Sequence, residues 1–393
     1  MSTGKYTGLT RVALLQEIPS SVEERAAWYH EMQANQPVRY RPEYDLWEVY
    51  RYKDVQRVLR DHAVFSIESS LPADFPSALG KSEPPHHHQL RGLVSKAFTP
   101  RRIEELGPRL VTIVDGLLEP AVANGRMDVV TELTYPLPVR VIAEMLGLPA
   151  KDQVQFRGWS YQLLSQMVGE WNPDNSELIR YFSDLLEERK RDLRDDLMSA
   201  MLAAEENGAH LTREEIIYLC LELMMAGNVT TTMLLSHALR RLGQRPDLYA
   251  ALHADPSLIP GFLEETLRWD FSTITLWRTA RQDTELGGQQ IKAGQLVIAQ
   301  VGSANFEESY FPHSAQFDIR RSPNPHLTFG YGIHVCLGAP LARLESKIAL
   351  ERIVARFSAL RLDPENPPQF TDNGRQLFRH LEVLFTPAAS PIA

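Results

Sequence analysis

The stretch LTREEIIYLCLELMMAGNVTTTMLLSHALRRLG (211–243) constrains this chain more than any other. It is an apolar run that reads as one long helix. Thr212, followed three residues on by Glu215, forms a capping box, and Gly243 reads as the C-terminal cap. The ~30 residues between them would span roughly 45 Å, enough to cross a whole domain. Between Ile216 and Ser236 the one formally charged residue is Glu222, so the helix is expected to be buried nearly all round. Everything else must pack around such an element. Its centre, AGNVTTT (226–232), holds Gly227 and three threonines. Glycine costs ~1 kcal/mol inside a helix, and threonine hydroxyls compete for backbone carbonyls. The stretch is therefore either a tolerated kink in a core helix or a local opening that admits a small ligand at a buried site.

The flanking patterns indicate a mainly α protein with small β-sheets, and 393 residues allow two or three average domains or one large one. PVRYRPEYDLWEVYRY (37–52) alternates around Trp47 and Val49 as a hairpin would, and DVQRVLRD (54–61) reads as a short helix. Helical spacing then dominates the bulk of 54–270. Strands return in 272–301, with Gly-Gly as a turn inside TELGGQQIKAGQLVIAQV. A further helix runs from about 340 to 358, and LEVLF (381–385) is a late strand. Neither βαβ alternation nor a glycine-rich phosphate loop is present, which argues against a dinucleotide fold. The net charge of −9 argues against a nucleic-acid partner. No run reaches the ~18 uninterrupted apolar residues of a membrane span, and the N-terminus has no signal-peptide core. Two cysteines, Cys220 and Cys336, suggest no disulfide framework, so a reducing cytoplasm is the expected compartment.

HLTFGYGIHVCLGAPLARLE (326–345) surrounds Cys336 with Gly330, Gly332 and Gly338. Such spacing permits a tight loop whose N–H groups point at one sulfur. A helix starting near Pro340 would bring its positive end close by, and both effects favour a thiolate. The bland alternative is an inert buried cysteine. The full string Phe329-Gly330-x-Gly332-x-His334-x-Cys336-x-Gly338 resembles the heme-binding loop of cytochrome P450, and nearly the whole chain is similar to the soluble bacterial class I enzymes of secondary metabolism.

That resemblance implies the P450 fold in a single domain over 1–393, with heme b between the long central helix and the helix after the cysteine, and Cys336 as the proximal iron ligand tempered by N–H groups near Leu337 and Gly338. Glu265 and Arg268, in LEETLR, match the structural E-x-x-R pair; their i, i+3 spacing places them on one helix face. EPPHHHQLR (83–91) is similar to the segment that aligns His87 and Arg91 with the heme propionates, as Arg278 and His334 also align. His86 and His88 receive no role. The implied reaction inserts one atom of O2 into a hydrophobic small molecule by hydroxylation or epoxidation. The substrate would be a terpenoid, fatty acid, steroid or macrolide-like compound. Electrons would come from a ferredoxin and its NAD(P)H-dependent reductase, docked on a basic patch of Arg91, Lys96, Arg101, Arg102 and Arg343. The protein is expected to be a monomer. Ala226, Gly227 and Thr230 match the family's oxygen-binding pattern A-G-x-acid-T, but Val229 stands where the acid belongs. Proton delivery then falls to water and Asn228, to a substrate hydroxyl, or to Glu222, whose carboxylate must have either a structural partner or a substrate-side role. Substrate contacts are expected from Leu71, Phe75, Leu163, Leu164, Met167, Glu222, Met225, Ala226, Val229, Thr273, Ile274, Leu276, Gln376 and Leu377. The competing readings are a peroxide-driven peroxygenase and a non-catalytic heme or ligand binder.

Overall fold

The long apolar run forms one α-helix, Arg213–Gln244, in a computed structural model that describes residues 17–19, 21–68, 78–152, 155–156, 158–160, 175–206, 209–271, 275–371 and 377–388. The capping box is made: Thr212 Oγ1 accepts from the Glu215 N–H at 3.2 Å, and the Glu215 carboxylate accepts from the Thr212 N–H at 2.7 Å. No break interrupts this helix. The helix is continuous through AGNVTTT, and the local perturbation is a side-chain one: the Thr230 hydroxyl donates to the Ala226 carbonyl at 2.8 Å.

Both glycines of this helix serve packing. A Cβ on Gly227 would lie 2.8 Å from Ile142 Cδ1, so the residue lets the helix Pro136–Met145 approach closely. Gly243 is not the cap. The helix runs on to Gln244, and a Cβ at 243 would come within 2.7 Å of Leu362 in the strand Phe357–Leu362. The central helix also packs against Ser176–Arg191, Ile259–Trp269 and Ala339–Arg356, and one apolar cluster joins all these elements. Among the described residues it is the helix long and apolar enough to cross a membrane, yet it runs through the protein core.

The predicted hairpin is formed by Val38–Arg41 and Leu46–Val49, with Tyr40 opposite Trp47. It does not stand alone. Leu46–Val49 pairs in parallel with Leu296–Ala299, Trp47 opposite Val297, and Leu276–Ala280 pairs antiparallel on the other side. Phe65–Ser66 completes this five-stranded sheet. Strands that look like separate regions of sequence are thus one sheet over a second apolar cluster. The Gly287-Gly288 turn adopts positive φ at both residues, as a tight hairpin between Thr284–Leu286 and Gln289–Ile291 requires.

Candidate active site

Cys336 lies at the end of a glycine-shaped loop and opens the helix Ala339–Arg356, with Gly338 at its N-cap and Pro340 in its first turn. Gly330 and Gly332 have φ of 77° and 78°. Gly332 is doubly constrained, because a Cβ there would sit 3.0 Å from both the Cα of Arg60 and the carbonyl of Leu59. The loop closes through a Cys336 N–H bond to the Phe329 carbonyl at 2.8 Å. Burial pushes the Cys336 thiol up; the N–H groups of Gly338 and Ala339 and the charges of Arg91 and Arg343 pull it the other way. Neither Cys336 nor Cys220 is disulfide-bonded.

Two carboxylates brace this loop from Ile259–Trp269. Arg268 grips Glu265 with two bonds of 2.6 and 2.8 Å, both side chains being wholly buried. The rest of the Arg268 fork donates to the carbonyls of Asn305, Ser314 and Gln316. Glu265 in turn accepts from the Asp318 N–H, from Arg321 and from Asn324. The pair therefore organises the whole 305–324 stretch that leads to the cysteine loop. Arg321 and Asn324 are missed by the motif, because spacing reveals a helical pair but not the irregular chain folded onto it. The neighbouring Glu264 takes a bidentate grip from Arg343 at 2.6 and 2.8 Å and a bond from His326 at 3.1 Å, locking this helix to the cysteine helix.

Beside this loop His87 and His334 meet, and Arg278 stands on the strand Leu276–Ala280, whose Leu276 packs against Gly330. His87 opens the helix His86–Ala97 with its ring 4.4 Å from that of His334. It is 1% exposed, and neither ring nitrogen has a hydrogen-bond partner among the described residues. Burial, then the charges of His334, Arg91 and His88, hold it down at about 4. Arg278 is 3% exposed, donates to the Trp277 carbonyl, and is lowered to about 10 by burial. Arg91 donates to the Val335 carbonyl at 2.9 Å.

On the central helix, Ala226 and Thr230 are exposed one turn apart, while Met224, Met225, Asn228, Thr231 and Thr232 are buried around them. Asn228 points elsewhere. Two residues from Thr230 it is rotated by ~200°, and its amide donates to the Ser160 hydroxyl. Val229 packs half-buried against the core. Glu222 has the structural partners its burial requires: its carboxylate accepts from the N–H groups of Leu79 and Gly80 at 3.0 and 2.8 Å.

A family model described as cytochrome P450 matches residues 139–383. The chain is 39% identical to the erythromycin C-12 hydroxylase of Saccharopolyspora erythraea, over 90% of this chain and 92% of that protein. It belongs to the cytochrome P450 family. The mycinamicin IV hydroxylase/epoxidase of Micromonospora griseorubida is likewise 39% identical, covering 86% of this P450 and 89% of the relative. Two solved structures superpose over nearly the full chain. Cytochrome P450 CYP109Q5 from Chondromyces apiculatus has a TM-score of 0.86 at 36% identity, covering 94% of this chain and 97% of that one. CYP109E1 from Bacillus megaterium, in complex with testosterone, has a TM-score of 0.84 at 36% identity, covering 91% and 98%.

A P450 binds heme b through a cysteine thiolate and acts as a monooxygenase. The donor set fits that group. Cys336, free of any disulfide, would supply the sulfur. His87 offers buried ring nitrogens without partners, and Arg278 is a buried guanidinium, as two propionate carboxylates require. Of the predicted substrate contacts, Met225 and Leu377 lie in the main apolar core, 4% and 9% exposed. Leu276 packs beside Gly330 of the cysteine loop. Leu71, Phe75, Leu163, Leu164, Met167, Thr273, Ile274 and Gln376 fall outside the described residues. In the predicted docking patch, Arg101, Arg102 and Arg343 carry carboxylate partners: Glu105, Asp195 and Glu264.

Proposed function

We propose that this P450 hydroxylates or epoxidises an apolar molecule of steroid or macrolide size in the cytoplasm, as a monomer served by a ferredoxin and an NAD(P)H-dependent reductase. The observation that carries the reading is the exposure of Ala226 and Thr230 in the middle of the central helix, among the buried side chains of Met224, Met225, Asn228, Thr231 and Thr232. They form a small-residue face with one hydroxyl, bordered by apolar side chains, which suits an oxygen site beside a hydrophobic substrate. Relatives named for erythromycin and mycinamicin, and a neighbour in complex with testosterone, support the size and polarity of that class.

When bound, heme supplies the oxygen-activating chemistry. The chain supplies position and protons. Cys336 would hold the iron, and its thiolate would supply electron density to it. His87, Arg91, Arg278 and His334 would hold the propionates. Thr230 presents a hydroxyl oxygen whose own proton is directed to the Ala226 carbonyl, leaving its lone pairs to accept a hydrogen bond from an incoming donor. Val229 supplies no carboxylate to replenish it. Asn228 lies on another face of the helix, and the Glu222 carboxylate is engaged by the 79–80 backbone, so neither replaces the acid directly. The remaining source is water or a substrate hydroxyl. Coupling should accordingly be incomplete: NAD(P)H consumed should exceed product formed, with peroxide as the balance. Val229→Asp should raise product per NAD(P)H. Full coupling in the parent, unchanged in the variant, would show that the acid is dispensable here.

The absent acid also favours a second reading, a peroxygenase. Turnover of a ligand that shifts the Soret band, screened among steroids and macrolides, separates the two. Product formed with ferredoxin, reductase and NAD(P)H but not with hydrogen peroxide alone supports the monooxygenase; the reverse overturns it.

A further inference from the structure

Glu83 has no part in the scheme above, yet it occupies the junction of three elements around the heme edge. It is a 6% exposed carboxylate three residues before the helix His86–Ala97. Its Oε1 accepts from the Ser66 hydroxyl at 3.0 Å and from the Ile67 N–H at 2.8 Å, at the end of the sheet. Its Oε2 faces His334 Nε2 at 3.5 Å, in the cysteine loop. Glu83 is also the acid whose field acts on Arg278, the buried guanidinium of the strand Leu276–Ala280. One carboxylate thus touches or senses a strand end, the cysteine loop and two of the four groups assigned to the propionates.

We propose that Glu83 is a positioning residue of the heme edge: its charge holds His334 and Arg278 in the arrangement that receives the propionates, while its other oxygen ties Ser66 and Ile67 to the same place. A buried guanidinium such as Arg278 is costly to hold without an anion, and the His334 ring, 3.5 Å from the same carboxylate, is oriented by it. Glu83 supplies that anion from the protein. Burial works to raise its carboxyl, but His334, the Ile67 N–H and the Ser66 hydroxyl outweigh burial and hold it down at about 2, so the charge is permanent. A side chain needed only to close the strand end could be neutral, since an amide oxygen accepts from Ser66 and Ile67 equally well.

The proposal rests on the assignment of His334 and Arg278 to the propionates, and the test keeps the two apart. It uses purified holoenzyme and two readouts, the ferric/ferrous potential and the rate of heme transfer to apomyoglobin. Glu83→Gln keeps the shape and the Oε1 acceptor but removes the charge. It should move the potential upward, because losing a nearby negative charge favours the more reduced centre, and should speed heme transfer severalfold. Glu83→Asp keeps the charge and should stay near the parental potential. Parental potential and transfer rate in Glu83→Gln would overturn the proposal, as would an equal shift in Glu83→Asp, which would make the role one of packing alone. Arg278→Ala and His334→Ala should each speed transfer. Should they do so while Glu83→Gln does not, the fault lies with Glu83. Should neither of them do so, the propionate assignment itself is wrong and the proposal falls with it.

Discussion

Glu345 is a carboxyl with no obvious task, 1% exposed on the cysteine helix. Its Oε2 is buried and has no hydrogen-bond partner among the described residues, and burial pushes the group up to about 8 from 4.5. The folded chain therefore keeps the proton that the unfolded chain releases. The associated stability is complete below the unfolded value and is lost as pH rises towards the folded one. Glu345→Gln should unfold at a higher temperature than the parent at pH 8 and at the same temperature at pH 4. Arg268 is the opposite case, a buried charge with every donor used. Arg268→Lys cannot reproduce the fork and leaves Glu265 and three carbonyls underserved. Breaking a buried pair costs about 3–5 kcal/mol, so this variant should be recovered with little heme by absorbance at the Soret band. The E-x-x-R spacing is visible in sequence. Its strength is not, because it depends on Arg321, Asn324 and backbone from another part of the chain.

At the scale of elements, glycines that look alike in sequence differ in kind. Gly227 has ordinary helical backbone and meets the flexible end of Ile142. Gly227→Ala gains ~1 kcal/mol of helix propensity against a contact that can shift, so its thermal unfolding should stay close to the parent's. Gly332 combines φ of 78° with a backbone contact at 3.0 Å that has nowhere to move. A side chain held in that conformation costs on the order of 1–3 kcal/mol before the clash is counted. Gly332→Ala should lower the unfolding temperature and loosen the thiolate, seen as loss of the carbon monoxide band of the reduced protein. The long helix itself was legible from Thr212 onward, since capping and apolar spacing are local. Its end was misplaced by one feature: Gly243 is small because Leu362 packs on it.

Over the whole molecule, the sheet joins residues separated by most of the chain, as in the pairing of Leu46–Val49 with Leu296–Ala299. That pairing sets the strand Leu276–Ala280, and hence Arg278, beside the cysteine loop. Charge behaves similarly. Five basic residues near the cysteine side suggest a strong patch, but Arg101, Arg102 and Arg343 are already matched by acids. Exposed pairs of this kind carry little net field. A ferredoxin docked on this face would meet Lys96, which is exposed on the helix His86–Ala97. Lys96→Glu should raise the KM for ferredoxin severalfold while leaving the spectral titration with substrate unchanged.

The sequence by itself determined the family, the thiolate, the central helix and the E-x-x-R pair. These are written in local spacing, in glycines and in residue types that few chemistries require together. Only the tertiary structure decided that the central helix is unbroken, that Glu222 serves the backbone of Leu79 and Gly80, that Asn228 faces Ser160, and that Glu83 faces His334. Each of these is a partnership between residues far apart in the chain. Hydrogen bonds and close packing are satisfied by whatever the fold brings within reach, and spacing along the sequence does not record that.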